Sequence, residues 1–409
     1  MSEPKTIGII GQGYVGLPLA MSAFSAGWNV IGIDNDEAKL DRIRKFRSPV
    51  EDIDDGVIAQ AFKSGSYRIT TDYGKVSDCE IVVLCLPTPL DSSGKIPDIG
   101  ILERVTIEIA PSISPGTLVV NESTSFPGTL RNIIMPLMLK NNKHGEIHFA
   151  IAPERVDPSN REWSHRNTPR LVSGIDSEST IKAVNFYKSI CDSVIEVTTP
   201  EVAEYAKLLE NSFRQVNIAL VTEISRLCFL DGVSVFEVID AASSKPYGFM
   251  PFRPSVGVGG HCIPIDPLYL SWYAEQKELD LSLVRTSHEI NQNQPQYVFE
   301  RIKSSHPNSN TRILLNGIAY KKGVSDLRES PNLELLKKLR TFYKSVKWRD
   351  ESVTTYEGEV NADLSEEFDL LVLAHPMSES ALEAIDTRKT AIFDCTGSHL
   401  VSRKKGLSL

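Results

Sequence analysis

The sequence predicts an α/β protein of two doubly wound, Rossmann-like domains joined by a long central helix, and three observations carry that expectation. Apolar runs of strand length alternate with helical patterns in both the first and the last third of the chain. A glycine turn, Gly11-Gln12-Gly13-Tyr14-Val15-Gly16, stands between the first such run and the first helical pattern. Between the two α/β stretches, apolar residues recur at helical spacing for about 30 residues without a breaker. The expected divisions are 1–198, 199–295 and 296–409.

Thr6 to Ile10 reads as the first strand, and Leu17, Leu19, Ala20, Met21, Ala23 and Phe24 as the apolar face of the helix after the turn. Gly11, Gly13 and Gly16 let backbone amides approach a pyrophosphate, with Tyr14 and Val15 completing the turn and the helix N-terminus adding partial positive charge. A second strand, Asn29 to Ile33, ends in Asp34 about 20 residues after the glycines, where a carboxylate can accept from a ribose diol. It would repel a 2'-phosphate, which favours NAD over NADP. The plain alternative is a simple turn with Asp34 capping a loop; the strand, turn and helix context favours the nucleotide.

Glu80 to Leu86 is a nearly continuous apolar run, as a strand buried on both faces requires, and leads into Pro87-Thr88-Pro89. Thr117 to Asn121 runs into Glu122-Ser123-Thr124-Ser125-Phe126-Pro127-Gly128-Thr129, and Ile147 to Ala152 into Pro153-Glu154-Arg155. Ligands of open α/β sheets bind beyond the C-terminal ends of the strands, so Thr88, Thr124 and Glu154 are placed for chemistry.

Thr199 as N-cap and Pro200 in the first helical position open the long helix, which ends near Gly232 and spans about 45 Å. So long and apolar a helix would serve both as domain connection and as support for a homodimer. Lys207 and Asn211 share one face with Gln215 a further step along; an ordinary solvated face has the same periodicity. After Asn291 the second α/β pattern begins with Ile313 to Leu315, Gly317 and Tyr320-Lys321-Lys322-Gly323. Ser330-Pro331 caps a helix through Leu339, and further strands are expected at Leu370 to Ala374 and Ala391 to Asp394. A second GxGxxG is absent, so this domain's ligand need not be a dinucleotide. Lys321, Lys322 and Arg328 could serve a diphosphate, although surface lysines are more often only solvated.

With 409 residues, 41% of them hydrophobic and 24% charged, the chain can bury a substantial core. A net charge of -9 without a basic stripe argues against nucleic acid, but not against a small anionic ligand. The first strand begins at Thr6, which leaves no room for a leader, and no run reaches membrane-spanning length, so a cytoplasmic protein is expected. Six cysteines are scattered without a CxxC pair or zinc spacing, so neither disulfides nor a metal are expected. Cys262 differs from the other five. It follows Gly257, Gly259 and Gly260, adjoins His261, and is a candidate nucleophile.

Six blocks in order resemble the UDP-glucose/GDP-mannose dehydrogenase family: Gly11-x-Gly13-Tyr14-Val15-Gly16-Leu17-Pro18, Leu86-Pro87-Thr88-Pro89, Glu122-Ser123-Thr124, Pro153-Glu154-Arg155, Lys207-Leu208-Leu209-Glu210-Asn211 and Gly259-Gly260-His261-Cys262-Ile263-Pro264-Ile265-Asp266. The resemblance implies an NAD domain, a central helical dimerisation segment, and a C-terminal domain for the nucleotide of a UDP-sugar. It also implies oxidation of the sugar's C6 alcohol to a carboxylate with two NAD+. By resemblance Cys262 attacks the intermediate aldehyde and carries the thioester, Lys207 and Asn211 stabilise oxyanions at C6, Asp266 handles protons and water, and Glu154 with Thr124 orients or activates the hydrolysing water. Cofactor contacts are expected from Gly11, Gly13, Tyr14, Val15, Gly16, Asp34, Thr88, Thr124 and Arg328. Substrate contacts are expected from Glu154, Arg155, Lys207, Asn211, Arg253, Gly257, Gly259 and Lys321. His261 is given no role.

Two departures bear on the sugar. Pro158 stands where many UDP-glucose enzymes have a second glutamate, and Ile265 where they carry lysine. With Pro153-Glu154-Arg155-Val156-Asp157-Pro158 and Lys245-Pro246-Tyr247-Gly248-Phe249, these resemble the branch acting on UDP-N-acetylhexosamines, with a lean to UDP-N-acetylglucosamine. The alternatives are UDP-glucose or UDP-N-acetylmannosamine as substrate, a β-hydroxyacid dehydrogenase of the phosphogluconate type, and a catalytically silent NAD-binding scaffold.

Overall fold

The computed structural model describes residues 5–50, 53–157, 160, 162–385, 389–398 and 406–409; Pro158 lies outside them. The chain forms two compact units, Met1–Glu210 and Asn211–Leu409.

Eight strands build the sheet of the first unit: β1 (Thr6–Ile10), β2 (Asn29–Ile33), β3 (Tyr67–Thr70), β4 (Ile81–Leu84), β5 (Leu118–Asn121), β6 (His148–Ile151), β7 (Arg170–Gly174) and β8 (Val194–Glu196). Their order is β3-β2-β1-β4-β5-β6-β7-β8. The first six are parallel, β7 runs against β6, and β8 is parallel to β7. β4 and β5 are buried along their whole length, as the unbroken runs Ile-Val-Val-Leu and Leu-Val-Val-Asn require. The chain leaves β1 toward β2 on one side and returns to β4 on the other. This reversal is the switch point at which doubly wound sheets open a crevice. Ile7, Ile9, Leu17, Leu19, Val83 and Phe186 belong to the core that covers the sheet.

The long helix is Pro200–Leu230, 31 residues, and the unit boundary falls within it. The second unit holds a five-stranded sheet of β9 (Arg312–Asn316), β10 (Ser345–Arg349), β13 (Leu370–Leu373), β14 (Ala391–Asp394) and β15 (Gly406–Ser408) in the order β10-β9-β13-β14-β15. All its pairings are parallel. A two-stranded antiparallel ribbon, β11 (Thr355–Tyr356) with β12 (Glu359–Val360), lies apart from it. Ser330 caps the helix Pro331–Phe342 by accepting from Leu333 N–H, as expected from Ser-Pro. The apolar pattern misses β3, β7, β8, β10, β11, β12 and β15. β10 is an edge strand that alternates buried Val346 and Trp348 with more exposed residues. Among the described residues, no helix is long and apolar enough to cross a membrane.

Candidate active site

In the first unit, the Gly11 turn, Asp34, Thr88, Thr124 and Glu154 follow the C-terminal ends of β1, β2, β4, β5 and β6. The sheet thus brings five predicted positions to one edge. Gly11 has φ +94°, and a Cβ there would lie 2.2 Å from Cys85 O; one on Gly16 would lie 1.8 Å from Gly11 O. These two glycines are demanded by the turn and by helix packing. Gly13 is different: nothing lies within 4 Å of an added Cβ, so its amide edge opens onto space that a pyrophosphate can fill. Asp34 is buried and accepts from Gln12 N–H at 2.7 Å, Asp36 N–H at 2.9 Å and Lys39 Nζ at 2.7 Å. A carboxylate has about four acceptor sites, so it keeps one for a ribose hydroxyl. The residues present therefore fit an NAD adenosine and pyrophosphate. Gln12 adds to the frame by donating to Ile9 O and accepting from Tyr67 O–H.

Around Glu154 the structure assembles a buried charge cluster. Glu154 Oε1 accepts from Arg155 N–H at 2.6 Å and Val156 N–H at 2.7 Å, and Oε2 accepts from Arg170 Nη2 at 2.8 Å. Arg170 Nη1 also reaches Glu122 Oε2 at 3.4 Å, and Tyr187 O–H donates to Glu122 Oε1 at 2.5 Å. His165 Nε2 lies 2.8 Å from Arg170 Nη2. The same nitrogen lies 3.3 Å from Glu154 Oε2. Burial pushes the Glu154 carboxyl up, but the Arg170 guanidinium and His165 override it and hold the group well below the usual carboxylate range. Glu122 goes the other way, raised by burial against the pull of Arg170. Glu122, Glu154 and His165 converge as donors that could hold a cation; the cation lying among them is the guanidinium of Arg170.

Thr124 is half-buried on the loop after β5. Asn121 organises the loop's start by accepting from Ser123 N–H and donating to Ser123 O and Ser125 Oγ. At its other end, Glu204 of the long helix accepts from Gly128 N–H at 2.5 Å and Leu130 N–H at 3.1 Å. Burial pushes the Glu204 carboxyl up to about 8, against the two amides that draw it down. Lys207, half-buried, follows three residues later. Arg155, expected at the substrate, directs its guanidinium to Glu210 at 2.6 and 3.1 Å and to Pro169 O at 2.8 Å.

In the second unit, Asn211 Nδ2 donates to Asp266 Oδ2 at 2.6 Å, and both residues are buried. Cys262 is exposed, and its carbonyl accepts from Ile265 and Asp266 N–H in the turn that opens the helix Asp266–Glu275. Asn211, Cys262 and Asp266 are thus brought together. None of the six cysteines is joined in a disulfide. Gln215 donates to Ile263 O at 3.2 Å, which makes the third polar residue of the helix face a support for the thiol turn. Gly257 and Gly259 meet the C-terminal domain: their added Cβ atoms would lie 2.8 and 2.6 Å from Pro331. Gly260, at φ +86°, packs on Tyr320 in the same way. His261 Nδ1 lies 3.7 Å from Asp326, which also receives Arg328 on both carboxylate oxygens; burial and Arg328 lower the imidazole's pKa. Arg253 pairs with Asp240 and packs over Phe236.

Sequence reasoning missed Lys39, His165, Arg170 and Glu204. For two of them a signal exists. Arg170 heads an apolar strand, and Glu204 shares the buried helix face with Leu208, four residues on.

Residues 5–191 match the UDP-glucose/GDP-mannose dehydrogenase family's NAD binding domain, and residues 201–293 its central domain. A UDP-N-acetyl-D-mannosamine dehydrogenase of Methanocaldococcus jannaschii is 33% identical over 339 residues, covering 82% of this chain and 76% of the relative. An NDP-N-acetyl-D-galactosaminuronic acid dehydrogenase of Ralstonia nicotianae is 32% identical over 344 residues, covering 81% and 79%. Among solved structures, a UDP-D-ManNAc dehydrogenase from Pyrococcus horikoshii superposes with a TM-score of 0.85 at 30% identity, over 96% of this chain and 95% of that one.

Proposed function

The chain belongs to the UDP-glucose/GDP-mannose dehydrogenase family, and on that premise we propose that it oxidises the C6 alcohol of a UDP-N-acetylhexosamine to the uronic acid at Cys262, with UDP-N-acetyl-D-mannosamine as preferred substrate. The observation that supports the chemistry is the Asn211 to Asp266 hydrogen bond, which links an amide donor and a buried carboxylate to the turn that carries exposed Cys262. The N-acetylhexosamine names of the relatives support the sugar class, and the mannosamine names displace the lean toward glucosamine drawn from the motifs.

NAD+, when bound, supplies the hydride acceptor for both oxidations. The chain's own residues do the rest. A second oxidation requires a nucleophile on the C6 aldehyde; the thiolate of Cys262 adds there, and Lys207 with Asn211 stabilises the oxyanion. The start of the helix after Cys262 offers partial positive charge that favours the anion. Oxidation of the adduct gives a thioester, and water then releases the acid and returns the thiol. Glu154, fixed and strongly ionised, orients that water together with Thr124; a carboxylate held so low is a weak proton acceptor at neutral pH. The three functional parts are 1–198 for NAD, 199–295 for dimerisation and thiol chemistry, and 296–409 for the UDP moiety. The protein works as a cytoplasmic homodimer.

A panel of UDP-N-acetylmannosamine, UDP-N-acetylglucosamine and UDP-glucose tests this. About two NADH should form per sugar consumed, with the mannosamine derivative strongly preferred. No NADH with any sugar sinks the dehydrogenase, one NADH per sugar sinks the thioester, and undiminished turnover of Cys262→Ala favours the hydroxyacid-dehydrogenase reading.

A further inference from the structure

The long helix presents three glutamates to the stretches that carry or directly follow Thr124 and Glu154. Glu201 Oε1 accepts from Arg131 Nε at 2.6 Å. Glu204, 2% exposed, accepts from Gly128 and Leu130 N–H. Glu210 holds Arg155 through two of its three guanidinium nitrogens, Nε and Nη2. Lys207 stands between the last two, three residues from each, and i, i+3 positions are neighbours on a helix.

The attachment points lie close to the reacting groups in sequence. Gly128 is four residues after Thr124, and Arg155 adjoins Glu154. The helical segment Leu130–Ile134 has no side-chain cap of its own, so the acceptor for its leading amides comes from the long helix. Glu210 meets Arg155 as a two-point fork, which fixes direction as well as distance.

We propose that Glu204 and Glu210 are positioning residues that fasten the Thr124 loop and the Glu154 loop to the lysine helix, and so set the geometry of the step that releases the acid from Cys262. This rests on the function proposed above. Neither glutamate needs to touch substrate. Each holds a loop at a fixed height along the helix that carries Lys207, and errors near 1 Å in such placements cost about 100-fold in rate.

The test compares Glu204→Gln and Glu210→Gln with the wild-type full chain by rapid mixing with NAD+ and UDP-N-acetyl-D-mannosamine, together with thermal unfolding. Above about pH 8, where Glu204 is ionised and both oxygens accept, Glu204→Gln keeps the side chain's size but turns an amide group toward a backbone N–H, so two acceptances cannot both survive, and the comparison is made there. Glu210 is 40% exposed, so its variant does not endanger the fold. Slowed acid release should appear as a burst approaching two NADH per site, then a steady rate reduced about tenfold or more, with KM values for sugar and NAD+ held within about threefold. The charge-swapped pair Arg155→Glu with Glu210→Arg should recover part of the loss. Wild-type steady rates in both variants overturn the proposal, as do rate losses that track the unfolded fraction without a burst. Failure of the underlying reading looks different: wild-type enzyme then yields one NADH per sugar, or none.

Discussion

Gly259 and Gly260 are each hemmed in by close neighbours. A methyl on Gly259 would meet Pro331 Cδ at 2.6 Å and Glu329 O at 2.7 Å, and one on Gly260 would meet the Tyr320 ring at 2.8 Å with φ already at +86°. Gly259→Ala should therefore lower stability by about 1–3 kcal/mol, seen as a drop in melting temperature. Loss of activity without that drop would mean that the glycine serves the ligand instead. Glu154 gives a pH signature. Its folded pKa is depressed, so its stabilising contribution is complete above the unfolded value of about 4.5 and fades as pH falls through the folded one. Glu154→Gln should be less stable than wild type at pH 7, because buried Arg170 loses the nearer of its two carboxylate partners, and the gap should narrow toward pH 3 in acid titrations followed by circular dichroism. A gap that stays constant with pH would show that the pair contributes nothing through charge. The sequence pointed to Gly259, Gly260 and Glu154 by type and place, but Arg170 and His165 were not legible as partners of Glu154: they are 16 and 11 positions away, and only strand pairing and loop return bring them back.

At the scale of elements, the long helix was the most legible object in the chain, because Thr199-Pro200 marks its start and its apolar spacing runs unbroken to Gly232. Its exposed stripe asks for a partner. Leu209, Phe213, Leu220, Ile224 and Leu227 are all exposed, at spacings of three, four or seven that keep them on one side. If this stripe is the contact of the proposed homodimer, Leu220→Asp with Leu227→Asp should give a monomer in light scattering where the wild type gives a dimer, with NAD binding retained; a monomeric wild type, or an unchanged dimer mass in the variant, would overturn that assignment. β10 shows where patterning fails. Ser-Val-Lys-Trp-Arg carries too few apolar residues to announce a strand, and its place at the sheet edge is what permits that composition.

For the whole molecule, both doubly wound sheets were foreseeable because parallel strands buried on two faces must be written as apolar runs, and helices between them must be amphipathic. The candidate site was legible as a set of residue types at strand ends and around Cys262. What escaped was the wiring: which carboxylate receives which amide or guanidinium depends on loop paths that carry no periodic signal. The spacing of Glu204, Lys207 and Glu210 has a further meaning for how this chain can change. One residue gained or lost between them would rotate everything beyond it by about 100° and shift it about 1.5 Å along the axis. Such a change would send Glu210 away from Arg155 however well the rest folded. Over geological time, then, this stretch can trade side chains but not length, and insertions must be sought in the loops instead.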